Sequence, residues 1–379
     1  MPHARDLGLP GRVPLLMLGF ASLFAGIGAG LARLGWPLPG AGLAYVHGPL
    51  MASGFFGTVI SLERAVALRR RWAYAAPLLS GTATLASLLA APALLAPALA
   101  TLGSAVMVAA SAAVYSRQRE LFTLTLALGA LAWSAGNLLW LAGAPVAAAA
   151  PWWIGFLVLT IAGERLELSR FLPPSPAARR VFALLLVAQV TALTLSLFAY
   201  ALGTTLLGLA LAGLAAWLMR QDIARRTIHS RGLTRYIAAC LLSGYIWLAV
   251  AGVSMVAAGG LGTGGAAYDA TLHAVLLGFV FSMVFGHAPI IIPSVIRVAI
   301  PYSRWFYAPL ALLHASLLLR LVGDWIAAAQ WRAWGGMLNA VALCAFVLGT
   351  LIAMLRGIRD RGRQAPPHAP PRHATKDAR

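Results

Sequence analysis

Four of the chain's eight histidines, His47, His273, His287 and His314, fall inside long apolar runs. An imidazole placed among lipid-facing residues is costly unless it is paired, and intramembrane ionisable groups are commonly functional. His47 and His273 form the first pair of interest. Each sits about five or six residues inside the start of its run, which at ~1.5 Å rise per residue puts both about 8 to 10 Å below the same surface. Small residues flank them: Gly48, Ala52 and Ser53 around one, Ala270 and Ala274 around the other.

Two imidazoles at one depth, facing each other across a gap, suit the iron of a flat macrocycle, whose axial ligands come from opposite sides. The spacing therefore predicts a haem held by His47 and His273. An alternative is that the same rings serve as hydrogen-bonding glue between helices. Asp269, one turn before His273, is placed to accept that ring's second proton or to cap the helix. Arg320 and Asp324 are four apart and can pair. Arg320 and Arg332 could instead hold haem propionates, since a guanidinium fork matches a carboxylate.

His287 follows His273 by 14 residues, about four turns or ~21 Å along a helix, so one metal cannot bind both. His287 and His314 are the remaining intramembrane candidates for a second metal such as copper, with packing as the alternative for His314. Pro289 and Pro293, just beyond His287, are expected to break the helix and free carbonyls there. Catalytic residues are not assigned.

The elements that must position these groups are membrane helices. The chain has 379 residues, 60 % hydrophobic and 10 % charged, with a mean hydropathy of +0.82, outside the range of soluble domains. A window of about 20 residues per crossing places twelve spans, near 13–34, 41–62, 73–94, 96–115, 121–143, 147–163, 180–201, 203–219, 236–258, 268–292, 305–323 and 334–355. The first run has no clean cleavage pattern and reads as a retained span.

A net charge of +19 would suggest nucleic acid in a soluble protein, but here the arginines alternate between loops. Arg64, Arg69, Arg70 and Arg71, then Arg117 and Arg119, then Arg165, Arg170, Arg179 and Arg180, then Arg220 to Arg235, then Arg297 and Arg304 occupy every second loop. Those loops are expected to be cytoplasmic, with both termini inside. Cys240 and Cys344 both fall within spans and imply neither a disulfide framework nor a zinc site.

Three spans share a signature. The second reads GFFGTVISLER from Gly54, the sixth GFLVLTIAGER from Gly155 and the tenth GFVFSMVFGHA from Gly278. Each has an ionisable residue nine places after the glycine: Glu63, Glu164 and His287. The expected fold class is an all-α polytopic membrane protein of twelve transmembrane helices in three pseudo-symmetric four-helix repeats, roughly 13–115, 121–219 and 236–355. This membrane domain spans 1–355, and the basic, proline-rich segment 356–379 is expected to be a disordered tail near an anionic leaflet. Glu63, Glu164 and Glu167 read chiefly as ion pairs with the arginines beside them.

Twelve spans, threefold arrangement and histidines on helices 2 and 10 resemble subunit I of the haem-copper oxidases. HGPLM in helix 2 resembles that family's His-Gly haem-ligand motif, and DATLHAVLLGFVFSMVFGHAPIIIP is similar in layout to its ligand helix. Over Val13 to Leu355 the chain resembles more closely the NnrS family of haem- and copper-containing membrane proteins, associated with the response to nitric oxide. The pattern departs from the oxidases where helix 6 offers APWWIG and helix 7 lacks histidine, so the oxidase copper ligands are missing. That speaks against oxygen reduction and leaves enzymatic activity open.

The resemblance implies a haem-binding, multi-pass protein of a bacterial cytoplasmic membrane, acting in nitric oxide response or tolerance, with haem and copper as cofactors and nitric oxide or another diatomic as ligand. Competing expectations are a transporter of a small solute or metal ion using the same histidines, and an assembly subunit that keeps the repeat without a cofactor.

Overall fold

The computed structural model describes residues 6–37, 41–169 and 174–364. Among these the chain is all helix, without strands. Among the described residues, eleven helices are long and apolar enough to cross a membrane: α1 (Leu9–Arg33), α2 (Gly42–Leu68), α4 (Leu95–Arg117), α5 (Leu121–Leu141), α6 (Val146–Leu168), α7 (Pro176–Leu195), α8 (Tyr200–Gln221), α9 (Gly232–Ala257), α10 (Gly265–Ile296), α11 (Arg304–Trp325) and α12 (Ala329–Arg359). The chain is a multi-pass protein of a lipid bilayer. The span expected at 73–94 is α3, Ala75–Leu88, whose 14 residues are too few to cross unaided; one 3-10 turn, Arg71–Tyr74, precedes it.

The helix of α12 runs on to Gln364, past Leu355. The remainder of the expected tail, 365–379 with His368 and His373, lies outside the described residues.

Neighbours pack in a recurring order. α1 lies on α2, α5 on α6 and α9 on α10; α3 lies on α4, α7 on α8 and α11 on α12; α4 meets α5, α8 meets α9, and α12 returns to α1. The three signature helices are the most enclosed. The most apolar 18-residue stretch of α6 is 78 % buried, that of α10 67 % and that of α2 61 %, above every other span. Such burial explains why they are hydrophobic all round, whereas outer helices present Leu184, Val187 and Val253 to lipid.

α2 and α10 share a departure from α-helical geometry. Residues Leu50–Gly57 of α2 and Ala274–Phe281 of α10 form π-helix. Both stretches begin four residues before the signature glycine, Gly54 or Gly278, and end three after it. Long π-helix is rare and concentrates at functional sites, because its wider turn packs poorly unless neighbours hold it. Those neighbours are identifiable in α2. Ser22 Oγ donates to the Leu50 carbonyl at 2.7 Å and Ser80 Oγ to that of Ser53. Trp133 Nε1 donates to Ser53 Oγ at 3.0 Å, and Ser53 Oγ donates to Asn137 Oδ1, which also accepts from Trp153 Nε1 at 3.1 Å.

The expected break at Pro289 and Pro293 does not occur: helix continues from Ser282 through both to Ile296. Each proline removes one backbone donor, but neighbouring helices can hold the strand of helix in place, and Arg12 Nη1 donates to the Val295 carbonyl at 3.2 Å. Arg297, left-handed at φ 57°, ends it.

Close approach within the signature segment of α2, at Gly57 as at Gly54, leaves no room for a side chain. A Cβ at Gly57 would stand 2.2 Å from Trp133 Cζ2. Gly57→Val should therefore lower stability by about 1 to 3 kcal/mol, read as a lower unfolding temperature of the detergent-solubilised protein, whereas Gly28→Val, with nothing within 4 Å of its Cβ, should leave that temperature within about a degree or two of the parent.

Candidate functional site

His47 opens the first α-helical turn of α2, after the 3-10 stretch Ala41–Val46, with Gly48 and Pro49 completing it. The His47 ring lies against α1, where Gly26 and Gly30 form a small-residue groove; a Cβ at Gly30 would be 2.8 Å from His47 Cε1. His47 Nδ1 donates to the Gly26 carbonyl at 2.8 Å. His273, the last residue before the π-helix of α10, donates from Nδ1 to the Asp269 carbonyl one turn back at 2.7 Å. With Nδ1–H committed to a carbonyl, each neutral imidazole keeps its lone pair on Nε2.

The two rings face one another, 6.3 Å between centres and 18° between planes. That separation is too great for ring stacking contact. A metal-bound imidazole nitrogen lies about 2.0 Å from its ion, and the ring centre about 1.1 Å further, so two imidazoles on opposite sides of one ion have centres about 6.2 Å apart.

A cavity of ≈ 280 Å³ adjoins both histidines, lined by α1, α2, α6, α10, α11 and α12. Its walls are mostly apolar, including Met51, Phe56, Trp153, Leu277 and Leu343, and its rim carries Arg33, Arg320 and Arg332 against one carboxylate, Asp269. Three guanidiniums against Asp269 on the rim and Asp324 beside Arg332 leave one net positive charge, which favours an anionic ligand edge.

Arg320 is not paired with Asp324. Its Nε and Nη2 each donate to Asp269 at 3.0 Å, a forked contact between α11 and α10, and Asp324 instead lies 3.6 Å from Arg332 Nε. The basic-before-acidic order at this spacing is the weaker one within a helix, whereas Asp269 offers both carboxylate oxygens to the fork. Asp269 Oδ1 also stands 3.5 Å from His273 Nδ1. Arg320 thus holds the residue that holds His273.

The other intramembrane histidines are engaged elsewhere. His314 Nδ1 accepts from Trp247 Nε1 at 2.9 Å, which puts the ring proton on Nε2, a buried atom without a partner. His287 donates from Nδ1 to the Met283 carbonyl at 2.8 Å, and its Nε2 lies 3.4 Å from Arg165 Nη1. A guanidinium beside that nitrogen and a protonated Nε2 on His314 do not suit a shared copper ion. Among the described residues, no group of three or more His, Cys, Asp and Glu gathers as metal ligands.

His287, Glu63 and Glu164 line a second, apolar cavity of ≈ 150 Å³. Phe56, Phe281 and Leu343 line both cavities, and Phe55 stacks on Phe281 at 5.8 Å between ring centres, 6° between planes.

At this end the signature acids do not pair with the arginine beside them. Arg64 of α2 donates to Glu164 of α6 at 2.9 Å, and Arg165 of α6 approaches His287 of α10. In both cases the tenth position of one signature reaches the ninth position of the next. Ala288 fills the tenth position in α10. Arg165 also makes a buried fork with Asp222, at 2.6 and 2.9 Å, and Asp222 further accepts from Tyr245 Oη at 2.7 Å and the Ala224 N–H at 2.8 Å.

These two ion pairs differ in consequence. Arg165→Gln leaves a carboxylate that is 2 % exposed without its cation and should cost about 3 to 5 kcal/mol. Arg64→Gln disrupts a pair exposed by 24 and 26 % and should cost about 1 kcal/mol or less. Unfolding in graded denaturant should separate the two variants in that order.

The family model described as Domain of unknown function (DUF8744) matches residues 12–355. No curated protein matches the chain.

Proposed function

The chain belongs to the DUF8744 family, and we propose that it is a haem-binding, NnrS-like protein of a bacterial cytoplasmic membrane that acts in the response to, or tolerance of, nitric oxide. The single observation that carries the haem reading is the opposed pair His47 and His273, with ring centres 6.3 Å apart and both Nδ1 atoms already committed to carbonyls. Haem would be held there by the two Nε2 atoms, its propionates facing Arg320, Arg332 and Arg33 on the cavity rim. Bound in this way, haem supplies one-electron chemistry.

The protein's own residues do the rest. Gly26 and Asp269 fix the two imidazoles by their carbonyls, Arg320 braces Asp269, and Met51, Trp153 and Leu277 keep water from the ring faces. With both His47 and His273 engaged in holding the haem, neither imidazole would leave a position free for a diatomic such as nitric oxide. The site therefore favours electron transfer or sensing over turnover at an open coordination position, and no catalytic residue is assigned. His287 and His314 carry no copper site in this reading.

The architecture proposed with it is twelve crossings in three four-helix repeats, both termini inside. Support comes from the recurring neighbour order that closes from α12 to α1, the burial of α2, α6 and α10 at the centre, the common register of the two π-helices and the contacts passed from one signature to the next. α3, extended by its 3-10 turn, then makes the third crossing within a locally sheltered position.

A second reading draws on the paired π-helices. Interruptions at corresponding positions of two repeats also mark transporters of small solutes or ions, whose sites use backbone freed by such breaks. Serine hydroxyls already take two of those carbonyls in α2, which leaves this reading less to work with.

The visible spectrum of protein purified from haem-sufficient cells separates the two. A Soret band lost in His47→Ala and in His273→Ala singly, and reduced in haem retention by about 10-fold or more in Gly30→Val through displacement of the His47 ring, is the expected result. A colourless preparation, or a band indifferent to both histidines, contradicts the haem reading and favours transport.

A further inference from the structure

A third cleft lies away from both cavities, at the end of the bundle where α10 terminates and α9 and α11 begin. It holds ≈ 640 Å³ and is lined by Arg231, Gly232, Arg235, Tyr302, Arg304 and Tyr307. Its charge is all of one sign: three arginines and no carboxylate. The structure records no salt bridge for Arg231, Arg235 or Arg304 among the described residues, and all three are exposed. Three unneutralised cations in one concavity repel each other and attract an anion.

The geometry adds direction to that attraction. Gly232 opens α9 with Arg231 as its extended cap residue and no capping side chain, and because both residues line the cleft the positive end of the dipole of a 26-residue helix lies at its wall. Arginine rather than lysine supplies the charge, and a planar fork of donors matches a phosphodiester better than a point charge does. Tyr302 and Tyr307 contribute hydroxyls at the same level.

The surroundings identify the source of the anion. Trp305, 60 % exposed beside Arg304, and the outward apolar residues Ile246 and Val253 further along α9 are the pattern of a side chain belt at the membrane surface followed by a lipid-facing wall. An acyl chain running down α9 would carry its headgroup to Arg231 and Arg235. Basic pockets between helices at this level hold anionic lipid headgroups.

We propose that this cleft is a binding site for the phosphodiester head of an anionic phospholipid, occupied independently of the histidine cavity. The test uses the full chain in mild detergent, titrated with phosphatidylglycerol, with phosphatidylcholine and with inorganic phosphate, bound lipid being counted by native mass spectrometry. Phosphatidylglycerol should be retained, phosphatidylcholine should not, and inorganic phosphate should neither bind measurably nor displace the lipid.

The triple variant Arg231→Gln/Arg235→Gln/Arg304→Gln should weaken phosphatidylglycerol binding about 100-fold, at about fivefold per arginine. The single variants Arg231→Gln and Arg304→Gln, on separate segments, should each give about fivefold and carry the test if the triple variant does not fold. Equal retention of phosphatidylcholine, binding of free phosphate in place of lipid, or unchanged phosphatidylglycerol binding in the variants would overturn the proposal.

Discussion

Everything at the centre of this molecule depends on two imidazoles being held apart rather than allowed to collapse together. A buried ring nitrogen without a partner costs roughly 1 to 3 kcal/mol, so two histidines facing an apolar cavity must satisfy four nitrogens among them. Backbone carbonyls of Gly26 and Asp269 take one nitrogen from each ring. The other two belong to rings whose centres stand 6.3 Å apart. Hydrogen bonding between helices accounts for His47 Nδ1 on the Gly26 carbonyl of α1, as it does for Trp247 on His314, and engages neither Nε2 of the facing pair.

Holding that gap explains features that otherwise look unrelated. Gly30 is bare because His47 occupies its side-chain space. Arg320 is buried against Asp269 because Asp269 supports His273. The π-helices follow the two histidines at matching register and carry Phe55, Phe56 and Phe281 into a stack that walls the histidine cavity from the one beyond it. At the far end, cross-helix pairs tie α2 to α6 and α6 to α10, so the three innermost helices are clamped where charge can stay partly hydrated and left open where the rings face each other.

Much of this was legible in the residues. Hydropathy located eleven long spans among the described residues, because about twenty apolar residues in a row have few other uses, and counting rise along two of them put His47 and His273 at one level, where the rings indeed lie 6.3 Å apart. The partners of charged side chains were not legible. Glu63 with Arg64, Glu164 with Arg165 and Arg320 with Asp324 are adjacent or one turn apart, and sequence spacing sees only such neighbours; the structure pairs Arg64, Arg165 and Arg320 across helices, where the choice depends on which faces meet. The π-helices left no trace in the pattern because a helix apolar on every side has no periodicity to shift. Two signals were present and unread: Gly26 and Gly30 at the four-residue spacing of close helix contact, and Asn137 in an apolar span, whose amide needs partners and finds Ser53, Trp153 and the Ala100 carbonyl.

Electron paramagnetic resonance of the oxidised, purified protein tests the central claim most directly, since it reports the ligands on iron and not merely the presence of colour. Two neutral imidazoles with nearly parallel planes predict a rhombic low-spin ferric signal accounting for the iron in the sample. A high-spin signal, or iron-free protein from cells with ample haem, would show that His47 and His273 do not grip one iron between them.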